Sequence, residues 1–233
     1  ITLVSIKAEN DTFTVTHGAV ATTTANSVLT NDKVGTQTAT TGTVSLTVTT
    51  PAVGLTGSAT PTLNANGTIT VPAGTKSGTY QIGYRICTTV SAVTACDTAT
   101  ATIIVGAATI TATPDVVTVT VGSTSSKSVI DNDHIGTATA TTNTASVTVV
   151  TPATPKASGT ATPTLDSTGK ITVPNNTPAG TYTILYRICE KLNAGNCTTT
   201  TATVVVPLTP ITATPDVVTV TVGSTSSKSV IDN

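Results

Sequence analysis

The decapeptide GTYQIGYRIC at 78–87 returns as GTYTILYRIC at 180–189. Side chains alternate between the two faces of an extended strand, so Tyr80, Ile82, Tyr84 and Ile86 share one face. Tyr182, Ile184, Tyr186 and Ile188 do the same in the second copy. All four tyrosines of the chain stand in these two stretches. The bulkiest apolar groups available to a core are therefore gathered on one face of one strand, written twice.

Working outward, the duplication extends over most of the chain. TPTLNANGTITVP at 60–72 matches TPTLDSTGKITVP at 162–174, and SVLTND at 27–32 matches SVIDND at 128–133. Residues 110–132, ITATPDVVTVTVGSTSSKSVIDN, recur letter for letter at 211–233. A fixed period of this kind marks a tandem array. The pattern predicts the end of a preceding repeat at 1–7, a first repeat at 8–106, a second at 107–208, and the first two strands of a further repeat at 209–233. The opening Ile and the lack of a signal-peptide pattern read as a window cut from a longer or processed chain.

Within the first repeat, short alternating runs separated by Gly, Asn and Pro predict strands near 12–16, 26–30, 43–50, 57–63, 67–71, 79–87 and 97–105. The fold class is all-β: tandem immunoglobulin-like sandwiches of about seven strands each, arranged head to tail. Tyr80 and Tyr182 follow a Gly turn at the start of the sixth strand, where such sandwiches carry a tyrosine corner. The intersheet disulfide and buried Trp of antibody domains are missing, because the second strand has no Cys and the chain has no Trp.

Composition fits this reading and excludes others. Thr accounts for 62 of 233 residues, charged residues for 9%, and the formal net charge is -1. Such a balance gives no electrostatic footprint for nucleic acid, and no apolar run reaches the roughly 20 residues of a transmembrane helix. The β-branched content separates it from disordered chains. Thr is expected on the outward positions of strands whose inward positions are Val and Ile.

Eight residues separate Cys87 from Cys96, and seven separate Cys189 from Cys197. One local pair per repeat predicts a disulfide within each, stapling the last two strands, worth about 2–3 kcal/mol on the chain-entropy estimate. A metal reading of these cysteines lacks further ligands in either loop. Disulfides place the chain in an oxidising, extracellular compartment.

Charges are rare enough for their positions to matter. One end of each predicted sandwich gathers Asp115, Asp131, Asn132 and Asp133 with Glu190 and Lys191, or Glu9, Asn10, Asp11, Asn31 and Asp32. Oxygen clusters at a repeat junction suit calcium, with Asp11, Asp32, Asp115, Asp131 and Asp133 as candidate ligands. The alternative is that these residues make turns and cap loops. His17 aligns with Val121 and His134 with Lys33, so neither imidazole recurs, and no catalytic motif is present. Both His read as solvated loop residues, Arg85 and Arg187 as outward-facing charges, and the chain as a non-enzyme.

SVIDND followed by ITVP and AGTYTILYRICEKLNAGNCTTTTATVVV resembles the repeats of very large cell-surface adhesins of Bacteroidota, the SprB-like gliding-motility adhesins exported by type IX secretion. The resemblance covers both full repeats and is most specific at YRICEKLNAGNC; the first repeat reads YRICTTVSAVTAC there. It implies a long filament attached to the outer membrane, used in cell attachment or gliding. The partners implied are adjacent repeats of the same chain, neighbouring filament chains, and a surface or polysaccharide ligand. It also implies O-glycosylation at Thr98 and Ser167, within Asp97-Thr98-Ala99 and Asp166-Ser167-Thr168. A pilus-like subunit joined to its neighbours by strand donation is the alternative.

Overall fold

The computed structural model describes residues 4–18, 20–90, 93–226 and 229–231. In the first repeat, β1 (Ile6–Lys7), β2 (Asp11–Val15), β3 (Thr22–Thr23), β4 (Lys33–Val34) and β5 (Gln37–Thr38) precede β6 (Val44–Thr50), β7 (Thr62–Leu63), β8 (Ile69–Val71), β9 (Gly78–Thr88) and β10 (Cys96–Val105). The second repeat repeats the order. It comprises β11 (Ile110–Thr111), β12 (Asp115–Thr118), β13 (Ser123–Thr124), β14 (His134–Ile135), β15 (Ala138–Thr139), β16 (Ala145–Thr151), β17 (Thr164–Leu165), β18 (Ile171–Val173), β19 (Gly180–Glu190) and β20 (Cys197–Val206). The chain is all-β, as its alternating pattern predicts, and each repeat is an immunoglobulin-like sandwich.

One layer of each sandwich is a four-stranded sheet, in the order β2-β10-β9-β6 or β12-β20-β19-β16. Its first and last strands in sequence pair parallel, Asp11 beside Ala101 through Val15 beside Val105, and Asp115 beside Ala202 through Thr118 beside Val205. The other layer is made of small sheets, β3-β8-β7 and β1-β4-β5 in the first repeat, β13-β18-β17 and β11-β14-β15 in the second. The alternating face read from the decapeptides is the core: Tyr84, Ile86, Tyr186 and Ile188 are each 0% exposed. They pack with Val28, Leu29, Ile69 and Val71, or with Val129, Ile130, Ile171 and Val173.

The second layer departs from the predicted strands. Val28–Thr30 is a 3-10 turn rather than a strand. Val28 and Leu29 are both buried, which consecutive strand residues facing opposite sides of a half-buried layer do not achieve. Ser27 accepts from the Leu29 amide at 3.1 Å and starts the turn. A glycine holds it from below: Gly67 has φ +83°, and a Cβ there would lie 2.0 Å from the Ser27 Oγ. Gly169, φ +80°, meets Ser128 Oγ in the same way at 2.1 Å. The predicted strand at 57–63 shortens to Thr62–Leu63, with Pro61 unable to donate to a ladder just before it.

Domain limits shift at one end. Ile6 pairs with Val34 and, with Val4, packs on the first core, so residues 4–7 belong to the first repeat rather than to a preceding one; residues 1–3 lie outside the described residues. The two strands predicted within 209–233 do not form among the described residues there, whose side chains are exposed. The identical segment at 110–132 does form strands, because β14, β18 and β20 are beside it. Strand propensity without a partner does not make a strand.

Candidate functional site

Each repeat encloses a tyrosine hydroxyl among carboxylates. Tyr186 donates to Asp115 Oδ2 at 2.9 Å, with the Val129 carbonyl at 3.1 Å and Asp133 Oδ2 at 3.4 Å also within reach. In the first repeat the Tyr84 hydroxyl has Asp11 Oδ2 and the Glu9 carbonyl at 2.9 Å, and both Asp32 oxygens at 3.3 Å. The deeper aspartates, Asp32 and Asp133, are 0% exposed. Each takes a main-chain amide at 2.7 Å, from Glu9 and Thr113 respectively. The cluster therefore ties β2, the turn before β4 and the long strand β9 into one knot, and its copy does the same for β12, β14 and β19.

One hydroxyl proton serves several acceptors, which fixes the electrostatics. Burial pushes Asp11 up to about 6, against the Tyr84 hydrogen bond that pulls it down, and the Asp32 charge adds to the rise. Asp115 is likewise pushed up to about 6 by burial, opposed by Tyr186 and reinforced by Asp133. Asp32 and Asp133 are raised, again by burial first. Both tyrosine hydroxyls are held far above their ordinary range by burial and by the adjacent carboxylates.

Of the five aspartates read as calcium ligands, the structure groups Asp11 with Asp32 and Asp115 with Asp133, each pair inside a single repeat. Asp131 stands apart, exposed, accepting from the Ser128 amide at 3.0 Å as a turn cap. No group of three or more acidic, His or Cys side chains placed for a metal occurs among the described residues. Two carboxylates whose oxygens already face O–H and N–H donors fall short of the six to eight oxygens calcium takes. Melting the protein in millimolar calcium and in EGTA is expected to give the same Tm; a rise of several degrees with calcium would show that the pairs reorganise around the ion.

The repeat junction is built by other residues. Asn193, in the cysteine loop of the second repeat, accepts from the Ser77 amide at 2.8 Å and from the Ser77 hydroxyl at 2.9 Å. Within the second repeat, Asn196 Nδ2 donates to the Ala108 carbonyl at the repeat's start at 2.7 Å and to Glu190 Oε2 at 2.9 Å. His17 lies against Gly136, where an added Cβ would approach its Nε2 to 2.9 Å. His17 is thus a half-buried loop residue at the junction, whereas His134, also half-buried, opens β14 rather than lying in a loop. The asparagine contacts join residues 116 and 88 positions apart and leave no periodic signal; the distinctive EKLNAGN of the second cysteine loop is their trace in the sequence.

The disulfides form as read, Cys87–Cys96 and Cys189–Cys197, across directly paired positions of the last two strands. Tyr80 and Tyr182 make the expected corner, donating to the main-chain carbonyls of Lys76 at 2.9 Å and Pro178 at 2.7 Å. Arg85 and Arg187 face outward, and Thr98 and Ser167 are exposed. The buried Tyr84 and Tyr186 hydroxyls escaped the sequence reading, although Asp11, Asp32 and Tyr84 all recur as Asp115, Asp133 and Tyr186.

No family model matches the sequence, and no curated protein matches it. Among solved structures, the human desmocollin-1 ectodomain matches 88% of this chain over 42% of its own, at 14% identity and a TM-score of 0.36. Mouse protocadherin-24 EC1-3 matches 88% of this chain over 70% of its own, at 15% identity and a TM-score of 0.31. A SusE-like surface located polysaccharide binding protein from Bacteroides thetaiotaomicron matches 88% of this chain over 34% of its own, at 14% identity and a TM-score of 0.31. The chain spans under half the length of the first of these. No helix among the described residues is long and apolar enough to cross a membrane.

Proposed function

We propose that the chain is a structural and adhesive piece of a long extracellular surface filament attached to the outer membrane and used in cell attachment or gliding. The observation that carries this is the junction. A side chain of one repeat, Asn193, captures both donors of a residue in the repeat before it, Ser77. Repeats fastened in this way extend as a series in which each contacts its neighbours. A disulfide in each repeat suits an oxidising exterior. The buried carboxylates take up hydrogen bonds that tie strands of the fold together.

Small-angle scattering on this chain and on a chain extended by further repeats tests the reading. The maximum dimension is expected to grow in proportion to repeat number; a compact particle at every length would overturn it. Thr98 and Ser167 are accessible to a glycosyltransferase, and native material is expected to exceed its polypeptide mass. A surface or polysaccharide ligand would be met by the filament as a whole.

The segment at 211–226, exposed throughout, favours a second reading. It carries every side chain that 110–125 uses to build the second repeat, so it is able to complete the sheet of a neighbouring filament chain. Non-reducing denaturing gels of native filaments separate the two: one very large chain supports covalent repeats, whereas a ladder of small subunits supports strand donation.

A further inference from the structure

At the junction, a cavity of about 300 Å³ opens between the repeats. Val20 and Gly74 of the first repeat face Ile135, Ala138 and Leu192 of the second across it, and Glu190 lines it. Glu190 is 2% exposed. Its Oε2 accepts from Asn196 at 2.9 Å, but its Oε1 is buried with no hydrogen-bond partner among the described residues. Lys191, the one basic side chain lining the cavity among the described residues, gives its ammonium to the Thr142 carbonyl instead. A buried carboxylate oxygen without a donor is costly, and the favourable remedy is an opposite charge brought to it.

We propose that this cavity binds a small aliphatic ammonium group: the charged head on Glu190 Oε1, the alkyl stem against Val20, Ile135, Ala138 and Leu192. Charge complementarity selects the head, and the apolar walls select an unbranched stem over a hydrated metal ion. Thr88 occupies the position of Glu190 in the first repeat, so the site belongs to the junction that the second repeat makes with the first. It would exist whether or not the chain belongs to a filament.

Calorimetric titration of the whole chain with n-butylammonium chloride tests this, with potassium chloride at equal ionic strength as the control. Saturable binding of the amine to the wild type is expected, weakened about thirtyfold or more by Glu190→Gln, which keeps the Asn196 contact. Ala138→Leu, at an exposed position on the cavity rim, is expected to block the stem and abolish binding while Glu190 stays in place. Titration with Nα-acetyl-lysine methylamide distinguishes the source. Binding of both amines points to a lysine side chain of another protein, and binding of butylammonium alone to a free amine. No saturable heat with either amine, or equal binding by Glu190→Gln, would overturn the proposal.

Discussion

Tyr186→Phe is expected to lower the unfolding free energy of the second repeat by about 2–4 kcal/mol, and Tyr84→Phe to do the same in the first. The ring stays and the core keeps its shape, so the loss is that of one hydroxyl. That hydroxyl is the donor shared by Asp115, Asp133 and the Val129 carbonyl. Without it, two enclosed carboxyl groups face each other with one donor fewer, and an orphaned charged acceptor costs more than a neutral one. Tyr182→Phe is the control. Its hydroxyl serves a main-chain carbonyl near the surface, and about 1 kcal/mol is the expected cost. Urea denaturation followed by far-UV circular dichroism reads both; equal effects for Tyr182 and Tyr186 would show that the carboxylate pair adds nothing.

The same clusters are expected to make the protein more stable in mild acid than at neutral pH. Asp11 and Asp115 titrate near 6 in the folded chain, against about 3.9 for an unfolded aspartate. Between those values the folded state holds the extra proton, so its stability rises on acidification. The contribution is fully present below the unfolded value and is lost as pH rises through about 6. Each pKa unit is worth about 1.4 kcal/mol. Allowing for screening by nearby water, the gain is of order 1 kcal/mol per repeat, or several degrees in Tm. Asp97 and Asp166 are lowered by hydrogen bonds and work the other way, but only as pH falls below the ordinary carboxylate range. Thermal melts from pH 7.5 down to 4.5 should therefore climb. A flat or falling series would mean that the pairs are ionised in the folded state without penalty, and Asp115→Asn is expected to flatten the share due to the second repeat.

What the sequence made legible was whatever a two-residue period or an internal copy could carry. Alternation placed Tyr80, Ile82, Tyr84 and Ile86 in the core, and local spacing paired the cysteines. It misplaced Val28 and Leu29, because a turn that buries consecutive residues leaves the same letters as a short strand. It saw Asp11, Asp32 and Tyr84 recur together but not that they meet, since the aspartates lie 73 and 52 residues from the tyrosine in the chain. The copy at 211–233 shows the limit most directly. The same letters form β11, β12 and β13 within 110–124 and no strand at 211–225, and the difference lies in what stands beside them.

The parallel pairing of β2 with β10, and of β12 with β20, has a mechanical consequence. Asp11 lies beside Ala101 and Val15 beside Val105, so the chain enters the pair at one end and leaves it at the other. Tension along the polypeptide slides β2 against β10 lengthwise and loads all their hydrogen bonds together, whereas an antiparallel pair held at adjoining ends would unzip bond by bond. Beyond that pair, the bridge at Cys87–Cys96 limits how much length an opened β9–β10 hairpin releases. Each sandwich is thus a link whose grip is set by the two parallel strands of its four-stranded sheet.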